Sequence, residues 1–387
     1  MRVTPVLSSQ TLSGRAGFTV SLKAENLQRT GSFKLRGALA KLASLGEGCS
    51  AGVVAGSAGN HAQAVAYAAR TLGVRCEVFM PQGATIGKVE AARSLGAVVR
   101  LEGATVDEAV DSARARAQEA GMAFIHPFDD LDIIAGQGTL GLELLDQVPD
   151  LARVVVPVGG GGLISGVAAA IKSTRPEVQV VGVQAEACAP YPASLEAGSP
   201  VSVPSALTIA DGIAVKRPGE LTLALIRQWV DELVLVGEDE VSEAMVFLLE
   251  RTKLVVEGAG AVGVAAVLAG KLPRPARPGT TVLVLSGGNV GAGLLAEVAR
   301  RHETQAVRRL VLLARLPDRP GSLAVLLSLL AAEGANLLDV QHIREGIDLH
   351  IRETAVQLVL ETRSAEHARA VTEAVRDAGY GEPRLLH

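Results

Sequence analysis

The stretch RVVVPVGGGGLISGVAAAIKS, residues 153–173, decides the fold. An apolar, β-branched run ends in four consecutive glycines, Gly159, Gly160, Gly161 and Gly162, and apolar residues at helical spacing follow from Leu163. A strand apolar throughout is one covered on both faces, as in a parallel sheet flanked by helices. The stretch is long enough to raise the question of a membrane span, but Pro157 and the glycines would break a spanning helix. A tight turn needs one or two glycines. Four let the backbone approach an anion, with the N–H groups of the loop and the helix start converging on it, so the loop reads as a phosphate cup.

The same strand-then-helix grammar extends to both sides. AGVVAG (51–56) precedes NHAQAVAYAARTLG, CEVFMP (76–81) precedes GKVEAARSLG, and AVVRLEG precedes TVDEAVDSARARAQEAG. VQVVGVQ, ELVLVG and TVLVLS follow, each near a helical pattern, which predicts an α/β fold with parallel sheets to about residue 302. The charged stretch ARRHETQAVRR (299–309) marks a boundary. Beyond it RLVLLARLP, PGSLAVLLSLLAAEG, NLLDVQHIRE, ETAVQLVLETR, SAEHARAVTEAVRDAG and PRLLH give the order β-α-β-β-α-β, a ferredoxin-like pattern.

Composition narrows the class. With 387 residues and 48% hydrophobic content the chain is globular and long enough for two or three domains. A net charge of −4, no long run of one sign and 3% aromatics argue against a nucleic-acid partner. Cys49, Cys76 and Cys188 are scattered, which indicates neither a disulfide framework nor a zinc cluster. The N-terminal MRVTPVLSSQ lacks a signal-peptide pattern, so the expected location is cytoplasmic, with no membrane contact.

Ligands of open α/β sheets gather at the C-terminal ends of the strands, and three further polar loops belong there. In GSAGNHAQ (56–63), Ser57, Gly59 and Asn60 with the following N–H groups suit a small carboxylate, where plain N-capping would account for Asn60 alone. In LSGGNVGAG (285–293), Ser286 ends a strand at the same rim. In TGSFKLRGA (30–38), Lys34, one of only eight lysines, stands where a helix begins. The helix dipole disfavours an ammonium there and frees the amine. A phosphate cup, a carboxylate loop and one lysine together suggest pyridoxal 5′-phosphate, which bonds a lysine as a Schiff base.

Other chemistries fit less of the chain. Gly258, Gly260 and Gly263 form a GxGxxG, and Gly291, Gly293 and Ala296 a GxGxxA, which would suit an NAD-dependent oxidoreductase, but no acid stands about 20 residues on. Ala55 to Gly59 is a variant nucleophile elbow, yet a hydrolase would leave the four glycines unexplained. A non-enzymatic amino-acid sensor would leave Lys34 and all four loops idle.

KAENLQRTGSFKLRGA, SAGNHAQ, GGGGLISG and SGGN, in that order, resemble the threonine dehydratase (threonine ammonia-lyase) family of fold-type II pyridoxal phosphate enzymes, and DRPGSLAVLLSLLAAEGANLLDV is similar to an ACT regulatory domain. The resemblance implies tryptophan synthase β-like two-domain parallel sheets in a catalytic domain, 1–304, with a smaller subdomain at about 50–130 inserted, and an ACT domain at 305–387. It implies that Lys34 carries the Schiff base with Phe33 beside the ring. Asn60 bonds the ring hydroxyl, Gly159 to Gly162 with Leu163 bind the phosphate, Ser286 meets the pyridine nitrogen and Glu257 lines the ring. Ser57, Ala58, Gly59, Asn60 and His61 hold the substrate carboxylate. An effector, isoleucine or valine, is expected near Asp318, Arg319, Gly321 and Asn336, and a homodimer or homotetramer is expected because ACT sheets pair side by side.

The implied reaction takes L-threonine to 2-oxobutanoate and ammonia, and L-serine to pyruvate, with the freed Lys34 amine removing the Cα proton. Ser286 is a hydroxyl and would not hold a proton on the ring nitrogen, which suits prompt β-elimination. A serine racemase/dehydratase of the same family is the nearest alternative. Relatives that bind a divalent metal use a Glu where this chain has Gln184, a poor ligand for a hard cation, so no metal is expected. Two further departures, Ala64 after SAGNHAQ where Gly is usual and Gly291 after SGGNV where an acid is frequent, are expected to affect packing rather than chemistry.

Overall fold

The chain begins in one sheet, leaves it for a second, and returns to finish the first. In the computed structural model, which describes all residues except 205–206, 346–347, 382–383 and 386–387, β1 (Val6–Ser8) and β2 (Val20–Ala24) open the larger sheet. β3 (Val53–Gly56), β4 (Cys76–Met80), β5 (Val98–Leu101) and β6 (Ala123–Phe124) form the smaller one, in the order β5-β4-β3-β6, all parallel. β7 (Leu151–Pro157), β8 (Gln179–Ala185), β9 (Glu232–Val236) and β10 (Thr280–Leu285) complete the larger sheet, in the order β1-β2-β10-β7-β8-β9, where only β1 is antiparallel. β7 and β10 are buried along their whole length, as their uninterrupted valines and leucines require. Among the described residues no helix is long and apolar enough to cross a membrane.

The helix Lys34–Leu45 packs against Asn60–Leu72 on one side and Leu131–Gln147 on the other. Its approach to the latter is close enough that a Cβ on Gly136 would meet the Gly37 Cα at 2.6 Å. Buried charges pin it as well. The Arg36 guanidinium forks onto Glu25 (2.8 and 2.8 Å) and reaches Glu143 (2.7 and 2.9 Å), and Lys23 donates to the same Glu143 at 2.6 Å. Arg36, Glu25 and Lys23 have no appreciable exposure. Each charge is thus compensated in a dry environment, which costs several kcal/mol when one partner is removed.

The compact units of the chain are Met1–Val290 and Gly291–His387, so the division falls earlier than the expected Thr304/Gln305 boundary. The helix Ala292–Gln305 accounts for the difference, because it packs on the first strand of the second unit. That unit comprises β11 (Arg309–Pro317), β12 (Asn336–Ile343), β13 (Glu353–Glu361) and β14 (Arg384–Leu385) in the order β12-β13-β11-β14, with every neighbouring pair antiparallel. The helices Ser322–Ala332 and Ala365–Asp377 cover a core that includes Leu312, Leu326, Val356 and Val371. This is the ferredoxin-like arrangement.

The same topology places the residues of the expected effector set in two groups. Asp318, Arg319 and Gly321 follow the end of β11, whereas Asn336 opens β12. Asn336 stands opposite Glu361 and Pro317 opposite Glu353, so one chain places them at opposite ends of the sheet, with a helix running the length between. Asn336 donates to Glu361 (3.0 Å), while Asp318 is gripped at its two oxygens by Arg344 (2.6 and 3.0 Å).

Candidate active site

A cavity of about 790 Å³ lies where β3, β7 and β10 end, and all four polar loops open into it. Lys34, the first residue of its helix, reaches it with its amine donating to the Pro127 carbonyl oxygen at 2.9 Å. Burial lowers the Lys34 pKa to about 8, with the Glu257 carboxylate pulling the other way. Enclosure by protein therefore does what the helix dipole was expected to do. The residues just before Lys34 are stitched to the end of β10. Phe33 N–H donates to the Ser286 carbonyl oxygen (3.0 Å), Gly288 N–H donates to that of Gly31 (2.9 Å), and Ser32 bridges to Gly287. Backbone pairing thereby fixes Lys34 and Ser286 relative to each other. Ser286 is a buried residue that lines the cavity, and among the described residues its hydroxyl makes no hydrogen bond.

The glycine loop enters the helix Gly162–Thr174 with no side-chain cap, so the first N–H groups of that helix face the cavity mouth of β7 unshared. Its glycines are also required by the protein packed against them. A Cβ on Gly160 would stand 2.2 Å from the Phe128 ring, and one on Gly161, at φ +87°, 2.0 Å from the Tyr191 hydroxyl. Tyr191 donates to the Gly160 carbonyl oxygen at 3.0 Å and lies 3.0 Å from the Thr222 hydroxyl. Phe128 and Tyr191 thus pack directly on the glycine loop.

In the loop after β3, the Ser57 hydroxyl accepts from Gly59 N–H at 3.1 Å, and Ala58 packs on the core of the smaller sheet. Buried His61 donates from Nε2 to the Ile125 carbonyl oxygen at 2.9 Å. Burial drives its pKa down to about 3, so the ring is neutral and committed inward, leaving its main chain for the loop. Asn60 donates from Nδ2 to Glu257 at 2.7 Å. Burial raises Glu257 to about 7, against the Asn60 hydrogen bond that lowers it.

Several residues of the cavity carried no motif. His126, its pKa lowered to about 4 chiefly by burial, accepts at Nδ1 from Phe128 N–H (3.2 Å) and Asp129 N–H (2.7 Å). A neutral imidazole can accept there, and the turn it organises presents the Pro127 carbonyl oxygen to Lys34. Asp211 and Ile213 also line the cavity, from a loop whose sequence gave no sign of it. Asn289 was visible inside SGGN, though without a role. Gly258, Gly260 and Gly263 lie in the buried helix Gly258–Leu268, which follows no strand and so lacks the context of a dinucleotide site.

A parallel α/β cleft with an uncapped helix start, one depressed lysine and an unshared hydroxyl defines an enzyme that holds an anionic cofactor against a lysine. The pyridoxal-phosphate dependent enzyme family matches residues 1–288, and the chain belongs to it. The resemblance of the catalytic motifs to pyridoxal phosphate enzymes is thereby borne out. The chain is similar to an L-threonine ammonia-lyase of Thermotoga maritima, 46% identical over 99% of this chain and 95% of that one. It is similar in structure to the processed form of threonine deaminase isoform 2 from Solanum lycopersicum (TM-score 0.73, 37% identity, 77% of this chain and 88% of that one). Maize serine racemase is comparably near (TM-score 0.73, 35% identity, 79% and 93%). Pyridoxal phosphate is the cofactor, and the residues fit it. The uncapped glycine loop suits a phosphate, the unpartnered Ser286 hydroxyl suits a ring nitrogen, and Lys34 supplies the amine.

Proposed function

We propose that this chain is an L-threonine ammonia-lyase, converting L-threonine to 2-oxobutanoate and ammonia and acting also on L-serine to give pyruvate. The observation that carries this reading is the Lys34 amine, lowered to about 8, sharing one cavity with the glycine loop and the Ser57–His61 loop. When bound, pyridoxal phosphate supplies the electron sink for negative charge at Cα. Lys34 is the residue that anchors the cofactor and, once freed, the base for the Cα proton. With a pKa near 8, roughly a tenth of it is free amine at pH 7. The N–H groups from Gly159 to Leu163 would hold the phosphate, Asn60 would bond the ring oxygen, Phe33 and Glu257 would line the ring, and Ser286 would meet the ring nitrogen. Ser57 to His61 take the substrate carboxylate, His61 through its main chain.

The second unit binds isoleucine or valine, and the enzyme is an even-numbered homo-oligomer working in the cytoplasm. Support comes from β12, an exposed edge strand. Antiparallel pairing of two such edges would bring Asn336 of one copy to the Asp318–Arg344 corner of another, joining what a single chain separates. The decisive experiment replaces Lys34. Lys34→Ala is expected to lose the yellow cofactor band and nearly all 2-oxobutanoate formation, and a wild-type rate in that variant would refute the assignment.

A further inference from the structure

We propose that Asn289 is a positioning residue that fixes the amide of Asn60 and, through it, the donor offered to the ring oxygen of the cofactor. The proposal rests on the role given above to Asn60. Asn289 donates from Nδ2 to the Thr30 carbonyl oxygen at 2.9 Å and, with its other N–H, to Asn60 Oδ1. A main-chain carbonyl can only accept, so Thr30 dictates which end of the Asn289 amide is nitrogen. Asn289 in turn dictates that Asn60 presents oxygen on that side and nitrogen on the other. Asn60 Nδ2 spends one N–H on Glu257 (2.7 Å), which leaves one N–H in the cavity it lines. The polarity of the whole chain is set by the backbone at residue 30, four residues before Lys34. Gly31 makes the room. At φ +73° its missing Cβ would stand 2.5 Å from Asn289 Oδ1.

A donated N–H favours the ionised form of the ring oxygen, and a flipped Asn60 would turn its carbonyl there instead. Asn289→Asp keeps the shape and removes both donors. The test uses the full-length holoenzyme. The ratio of the cofactor's visible to near-ultraviolet bands is followed against pH, and cofactor affinity is measured by reconstitution. Asn289→Asp is expected to move the midpoint of that ratio up by roughly one pH unit or more and to weaken cofactor binding about tenfold, the loss of a hydrogen bond to a charged group. Asn60→Ala is expected to do the same, and the double variant no more, because the two act as one unit. If Asn289→Asp does not fold, Asn289→Ser is read in its place. A shifted spectrum in Asn60→Ala beside a wild-type spectrum in the Asn289 variant overturns the positioning role alone. A wild-type spectrum in Asn60→Ala removes the premise and the proposal with it.

Discussion

Lys34 combines a surrounding that disfavours its charge with a chemistry that needs it neutral. Its folded pKa, about 8, lies below the ordinary 10.5. The apoenzyme should therefore capture pyridoxal phosphate faster as pH rises, roughly tenfold per unit below about 8 and level above it, as stopped-flow absorbance would show. The sign reverses for stability. Burying the ammonium costs the native state below pH 8, so Lys34→Met should raise the melting temperature of the apoenzyme there, an advantage that disappears as pH approaches 10.5. Ala58 sets the stereochemical expectation. On the proposed reading, Lys34 serves one face of the substrate Cα and the Ser57–His61 loop lies against the other, where the Ala58 methyl cannot donate a proton. L-Serine should give pyruvate without D-serine, and Ala58→Ser should produce some D-serine on chiral chromatography. D-Serine forming as fast as pyruvate in the wild type would mean that another far-face acid exists.

The elements matter through what lies behind them. Phe128, which also lines the cavity, and Tyr191 stand where a Cβ on Gly160 or Gly161 would go, so a methyl group has no room at either glycine. Gly161→Ala should cost at least ~2 kcal/mol from its left-handed backbone and the clash with Tyr191. It should also weaken phosphate retention, and Tyr191→Phe in the same chain should recover part of the loss. The Lys34 helix depends likewise on charges remote from the cavity. Arg36→Ala, which strands Glu25 without its partner, should destabilise by ~3–5 kcal/mol in urea unfolding.

At the scale of the molecule, the family match ends at residue 288 and the first compact unit at Val290. A chain cut after Val290 should keep threonine turnover and lose any response to isoleucine or valine, measured by steady-state rates with and without each amino acid. An intact enzyme indifferent to both would remove the regulatory reading. The break at Val290 was hidden in the sequence because the helix Ala292–Gln305 is charged and amphipathic, and such a pattern gives no sign of which unit its apolar side, including Val298, will cover.

The strands and helices around residues 153–173, the α/β order, the ferredoxin-like tail and the four loops at the strand ends were all determined by the sequence alone, since apolar periodicity and glycine placement act over a few residues. Phe128, Tyr191, His126 and Asn289 became meaningful only in three dimensions. They come from distant segments, follow no periodic pattern, and act by touching Gly160, Gly161, the turn at Pro127 and Asn60. Tertiary structure also decided the cause of the Lys34 shift and the separation of Asn336 from Asp318. Burial and strand register are sums over the whole fold, and no local stretch of chain contains them.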